Sequence, residues 1–287
     1  MTGQNLSLSP LLYMPLVQAA LAEDFGRAGD LTSDAIIPEN AAVSVTLRSR
    51  QPGCLAGLPI AEAVFRTVDA RLQVEKFLQD GDAVSPGSVI ARITGPARAA
   101  LAAERTALNF LGHLSGVASG TARMVAAIAG HKARICCTRK TIPGLRALQK
   151  YAVRAGGGAN HRFGLDDAIL IKDNHIGVAG GVRKAIALAR ARAGHMVKIE
   201  VEVDTLDQLA EALLESPDIV LLDNMTPDIL REAVRITAGR AILEASGTVT
   251  LATVADIAAS GVDLISSGAL THSSTCLDLG LDFDWAG

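Results

Sequence analysis

The chain has 287 residues, 49% of them hydrophobic and 20% charged, which is enough to bury a sizeable core and excludes a disordered or fibrous protein. Aromatic residues make up only 3%, so the core must come from Ala, Val, Leu and Ile, and a net charge of −3 argues against a nucleic-acid binder. That average conceals a basic middle. Arg105–His175 holds 11 Lys/Arg against 3 Asp/Glu, a local +8, leaving 16 against 27, or −11, for the remainder.

The first ten residues lack a basic start and a long apolar run, so they do not read as a secretory signal. No stretch reaches the ~18 apolar residues of a membrane span. Ser9-Pro10 predicts a helix start, with Ser at the N-cap and an apolar-periodic stretch through Leu21. Residues 41–50 alternate like a half-buried strand. Residues 81–96, with turn signals at Gly81-Asp82 and Pro86-Gly87, predict a β-hairpin, and 97–130 an Ala/Leu-rich helix weakly broken at Gly112 and Gly116. Cys54, Cys136, Cys137 and Cys276 show no C-x-x-C spacing. They read as reduced, mostly buried thiols of a cytoplasmic protein, with no zinc site.

The second half is rhythmic. Short apolar runs end at polar groups near Arg139, Lys172, Glu202, Asp223, Ala245 and Ser267, with helical patterns such as LDQLAEALLE and PDILREAVRI between the later ones. Strand–helix repetition of this period predicts parallel β-α units, and six of them favour a short, six-stranded α/β barrel. An open doubly wound sheet competes, but no G-x-G-x-x-G opens a helix.

In a barrel, reactive groups sit just past the C-terminal strand ends. That rule gathers Arg139, Lys140, Arg162 and Lys172, with His161 nearby, opposite Glu202 and Asp223. Clustered cations point to a multiply anionic ligand, and carboxylates beside them to sugar hydroxyls or Mg²⁺. Ser246-Gly247-Thr248 and Ser267-Gly268-Ala269 follow the last two strands, where backbone N–H groups cradle phosphates. Singly, each cation reads as a solvated surface charge, His161 as a structural hydrogen-bonder, and Glu200, Glu202 and Asp204 as the solvated stripe of an edge strand. Six successive strand ends carrying useful polar groups outweigh those readings.

These segments, with AERTALNFLGHLSG, TRKTIPG, GGGANHRFG, KDNHI, DIVLLDNM and EASGTV, closely resemble the quinolinate phosphoribosyltransferases, the decarboxylating nicotinate-nucleotide pyrophosphorylases, over nearly the whole chain. The resemblance implies conversion of quinolinate and phosphoribosyl pyrophosphate to nicotinate mononucleotide, pyrophosphate and CO₂ with Mg²⁺, in de novo NAD biosynthesis. It implies an N-terminal α/β sandwich domain over 1–114, joined by the tail 273–287, and the barrel over 115–272. It assigns Arg139, His161, Arg162 and Lys172 to the quinolinate carboxylates and Lys140 to the phosphates of the phosphoribosyl substrate, with Thr138 also among the substrate-binding residues. Glu202 and Asp223 would meet the ribose hydroxyls and Mg²⁺, largely through water and substrate. The 246–248 and 267–269 loops would take the 5′-phosphate, with His272 close by. Lys140, Lys172, Glu202 and Asp223 are the expected catalytic set. A homodimer is implied in which Arg105 reaches the neighbouring subunit's site, with neither nucleic acid nor membrane as partner.

Three residues depart from the family pattern: Cys137 stands where Asp is common, Thr248 lies in the phosphate loop, and Ser267 replaces a common Val. A mono-acid transferase is disfavoured by the full set Arg105, Arg139, Arg162 and Lys172. A non-catalytic ModD-like paralogue is disfavoured by the intact KDNH segment, Glu202 and Asp223.

Overall fold

Pro10 opens helix α1 (Pro10–Phe25), whose Tyr13, Val17 and Leu21 recur one turn apart on its buried side. Ser9 holds the N-cap position without a side-chain bond. The computed structural model describes residues 6–283. Half of the ten-residue N-terminal segment, which does not read as a signal, and the end of the predicted C-terminal tail lie outside them.

The chain forms two compact units. The first contains residues up to Ala122, Pro143–Gly157 and the segment from Ser274. Its sheet is antiparallel. Strand β1 (Ala42–Ser49) lies between the C-terminal strand Leu279–Phe283 and β5 (Val89–Pro96), with β3 (Gln73–Lys76) beyond β5. The two arms expected to form a hairpin at 81–96 do not pair with each other. The turn forms, with Ser88 N–H on Ser85 C=O, but β4 (Ala83–Val84) pairs with β2 (Gly53–Cys54) and β5 with β1 and β3. Leu55 N–H on Asp82 C=O and Gly81 N–H on Leu55 C=O draw the first arm away.

After helix α3 (Leu58–Val68), helix α4 runs unbroken from Ala97 to Ala127. Gly112 and Gly116 do not interrupt it. A Cβ at Gly116 would lie 2.1 Å from Thr275 C=O, and Leu277 N–H donates to Gly112 C=O, so these positions admit the backbone of residues 275–277. Pro143–Gly157, read from sequence as part of the barrel, belongs instead to the first unit. Its helix α5 (Arg146–Ala155) is tied there by the Tyr151 hydroxyl on Asp80 (2.6 Å) and by Gln149 on His113 (3.0 Å).

The second unit, Arg123–Ile142 and Gly158–Ser273, holds six parallel strands. They are β6 (Arg134–Cys136), β7 (Ile169–Ile171), β8 (Ile199–Val203), β9 (Ile219–Asp223), β10 (Ile242–Ser246) and β11 (Leu264–Ser266). Their order, β6-β11-β10-β9-β8-β7, is chain order wrapped round with the first strand beside the last, the arrangement of a barrel. Ala159 extends the β6 edge on the side of β7, donating to Ile135 C=O and accepting from Cys137 N–H. Helices α6 (Asp173–Ala179) and α7 (Val182–Arg192) follow β7. Between the later strands come α8 (Leu206–Leu213), α9 (Pro227–Thr237) and α10 (Val254–Ala259), where the sequence patterns predict them. Thr205 and Thr226 cap α8 and α9 through their hydroxyl oxygens, fixing where β8 and β9 hand over to helix. Among the described residues no helix is long and apolar enough to cross a membrane.

Candidate active site

The β6 strand delivers Thr138, Arg139 and Lys140 into the turn that follows it. Thr138 Oγ1 accepts the Lys140 N–H at 3.0 Å, and the Thr271 hydroxyl donates to Lys140 C=O at 2.7 Å, tying this turn to the segment after β11. Arg139 and Arg162 each bury their Nε with no partner among the described residues. Arg162 Nη1 donates to Ala168 C=O at 3.0 Å. Burial, reinforced by the charge of Arg139, lowers the pKa of Arg162 below the ordinary guanidinium value. Two guanidinium groups that repel each other and retain undonated N–H bonds have the chemistry to receive an anion.

Lys172 follows β7 at the N-cap of α6, its backbone N–H donating to His175 Nδ1 at 2.9 Å. Its ammonium donates to Glu202 Oε2 at 2.8 Å. Asp223 ends β9 and accepts from Asn224 Nδ2 at 2.7 Å. The β8 strand lies between β7 and β9. The edge-strand reading of its acidic stripe therefore fails: Glu200 is buried, Glu202 half-buried, and only Asp204 exposed. Parallel register places Glu202 level with Leu221 and Glu244, and Asp223 level with Ser246, on one face. Glu202 and Asp223 form an oxygen-only donor pair at neighbouring strand ends, of the kind Mg²⁺ accepts.

The two proposed phosphate loops differ. Ser246 is half-buried, with its carbonyl taken by Asn224 N–H, while Gly247 and Thr248 are exposed. Gly247 has φ +119°, and a Cβ there would stand 2.2 Å from Asn224 Oδ1, so this turn requires glycine. Ser267 is buried, its N–H donating to Cys136 C=O and its hydroxyl turned toward Val249 C=O at 3.5 Å; it braces the loop instead of facing outward. Gly268 and Ala269 are half-exposed. A Cβ on Gly268 would meet Lys140 Cδ at 2.8 Å and His272 Nε2 at 3.2 Å, which places both side chains beside this loop.

His161 lies deeper. Its Nδ1 accepts the Arg162 N–H at 2.7 Å, so the ring proton is on Nε2, 3.1 Å from Glu200 Oε2 and 3.7 Å from Glu244 Oε1. Both ring nitrogens thus face protein groups. Cys136 Sγ donates to Glu244 at 3.8 Å. Burial and the neighbouring Glu200 raise the Glu244 pKa, and burial raises that of Cys136. Sequence reasoning missed Glu244, His175 and Asn224. The signal was present for Glu244, next to the strand-end marker at Ala245, but a carboxylate buried inside a barrel is not what strand-end logic seeks. Arg105 stands exposed on α4 in the first unit.

Comparison with known proteins identifies the family. The family description "quinolinate phosphoribosyl transferase, N-terminal domain" matches residues 30–115, and its C-terminal-domain counterpart matches 117–282. The chain belongs to the quinolinate phosphoribosyltransferase family. A nicotinate-nucleotide pyrophosphorylase (carboxylating) of Mycobacterium leprae is 44% identical over 271 residues, 93% of this chain and 95% of that protein. The solved structure of NadC from Streptococcus pyogenes superposes with a TM-score of 0.93 at 41% identity, covering 96% of this chain and 99% of that one. The nicotinate-nucleotide pyrophosphorylase of Francisella tularensis gives 0.94 at 39%, covering 99% and 100%. In this quinolinate phosphoribosyltransferase family member, the departure at Cys137 is a buried thiol 3.4 Å from Asn160 Oδ1. It therefore packs against the NHR segment that carries His161 and Arg162.

Proposed function

We propose that this chain joins quinolinate to phosphoribosyl pyrophosphate, releasing pyrophosphate and CO₂ and yielding nicotinate mononucleotide for NAD biosynthesis. The observation that carries the reading is the pair of buried, undonated guanidinium Nε–H groups of Arg139 and Arg162, with Lys172 at the next strand end. Two adjacent carboxylates on one ring match that cationic set, and a single carboxylate would leave part of it unneutralised.

Transfer breaks the C1′–pyrophosphate bond, so positive charge grows on the ribose and negative charge on the leaving group. Glu202 and Asp223 face the first, and Lys140, His272 and the N–H groups of the 246–248 and 268–269 loops the second and the 5′-phosphate. Glu202 and Asp223 would also hold Mg²⁺, which supplies charge neutralisation at the pyrophosphate. Arg139, Arg162 and Lys172 fix the ring so that its nitrogen meets C1′ without a covalent enzyme intermediate. Alkylation makes that nitrogen cationic, and its charge then stabilises the carbanion left as the adjacent carboxylate departs as CO₂; a proton taken up from solvent converts that carbon to the C–H of the mononucleotide. His161 contributes through Arg162, whose backbone it holds. Arg105 supplies a further cation to the neighbouring site of a homodimer. Four thiols outside any disulfide, three of them buried, suit a reducing, cytoplasmic compartment.

The test is direct. Purified protein with Mg²⁺ and phosphoribosyl pyrophosphate should form mononucleotide and CO₂ in equal amounts from quinolinate, and neither from nicotinate. Absence of turnover with quinolinate would overturn the assignment.

A further inference from the structure

We infer that Glu200 is a positioning residue for the dicarboxylate end of the reaction, acting through His161 on Arg162. A continuous chain of contacts carries this. Glu200 Oε2 stands 3.1 Å from His161 Nε2, His161 Nδ1 accepts the Arg162 N–H at 2.7 Å, and the Arg162 guanidinium is braced on Ala168 C=O at 3.0 Å. With Nδ1 occupied as an acceptor, Nε2 bears the proton and donates to Glu200. The imidazole is thereby fixed in tautomer and in ring angle.

Burial makes the arrangement informative. The side chains of Glu200 and Glu244 are only 6% and 2% exposed, and Glu200 Oε1 and Glu244 Oε1 have no hydrogen-bond partner among the described residues. Two neighbouring carboxyl groups inside a barrel oppose stability, because each is desolvated and each repels the other. A layer built only to pack would be filled by Leu or Met. The contact of Glu200 with the residue that holds Arg162 gives the cost a purpose: it orients the guanidinium that grips the ring carboxylates. The inference rests on the reading that Arg162 binds quinolinate.

The experiment replaces Glu200 by Met, which keeps the volume and removes the acceptor, and by Gln, whose carboxamide oxygen still accepts from Nε2. Binding of phthalate, the same ortho-dicarboxylate without the ring nitrogen, is measured by calorimetry beside steady-state kinetics. Glu200→Met should raise the quinolinate KM and the phthalate Kd at least about tenfold, leaving the phosphoribosyl pyrophosphate KM within about twofold and Tm undiminished. Glu200→Gln should recover most of that loss. Added to His161→Ala, Glu200→Met should cause no further loss, since both act along one path. If Glu200→Met does not fold, Glu200→Ala serves in its place.

An equal rise in both KM values with a lowered Tm, or additive losses in the double variant, would overturn the inference. So would phthalate affinity that falls with a chelator and returns with Zn²⁺, which would make His161, Glu200 and Glu244 a metal site. Phthalate binding by a wild type that turns over no quinolinate would sink the proposed reaction and still decide the role of Glu200. Failure of the wild type to bind phthalate would overturn both.

Discussion

The ammonium of Lys172 lies 2.8 Å from the carboxylate of Glu202, joining the end of β7 to the end of β8. Under the proposed function one partner serves the ring-binding side of the site and the other the ribose side, so the pair would link the two substrates' positions. Lys172 is 49% exposed and Glu202 14%. An ion pair open to water contributes little to folding, roughly 0–1 kcal/mol. Replacing Lys172 by Ala should therefore leave Tm nearly unchanged while kcat/KM for quinolinate falls by about 10²-fold or more. Thermal denaturation measured beside kinetics checks this, and a Tm loss in proportion to the activity loss would contradict it.

The shared-site prediction uses mixing. Arg105→Ala and Lys140→Ala should each be inactive alone. In a hybrid dimer one site regains both residues, so an equal mixture after subunit exchange should show about a quarter of wild-type activity. No recovery despite demonstrated exchange would remove Arg105 from the neighbouring site.

Gly247 should tolerate no side chain. Its φ of +119° and the 2.2 Å approach of a Cβ to Asn224 Oδ1 predict that Gly247→Ala displaces the same Asn224 that donates to Asp223. Stability should fall by roughly 1–2 kcal/mol. The KM for phosphoribosyl pyrophosphate should rise about tenfold or more, with that for quinolinate much less affected. Equal effects on both substrates would argue against a phosphate loop here.

Stability should also respond to pH through Glu244. Its pKa is raised above the ordinary 4.5, first by burial and then by Glu200, so the folded state binds the proton more tightly than the unfolded chain. The stabilising effect of that proton is complete below the unfolded value and is lost as pH rises through the folded one. Glu244→Gln is neutral throughout, so its Tm relative to wild type should climb between about pH 4.5 and about pH 7 and level off above that. A relative Tm that falls over this range would show that Glu244 is held as a carboxylate.

Much of the fold was legible because period and polarity are local properties. The six strand ends, the caps at Thr205 and Thr226, and the cations at 139, 140, 162 and 172 are written in short windows. Errors arose where a residue's partner is distant in sequence. The turn at 85–88 forms locally, but which strand each arm joins is settled by β1 and β2, more than thirty residues upstream. Gly112 and Gly116 looked like helix breaks because their neighbour, the backbone of residues 275–277, lies some 160 residues away.

The sequence alone determined the chemistry on offer: a basic segment inside an acidic chain, anion-binding side chains at strand ends, and motifs specific to one family. Tertiary structure decided which of those groups face outward. It turned Ser267 inward and set both nitrogens of His161 on protein groups. It also brought Glu200 and Glu244, from strands forty residues apart in sequence, to the same imidazole. The physical reason is that residue type sets what a side chain can bind, whereas the packing of non-adjacent strands sets what is left for it to bind.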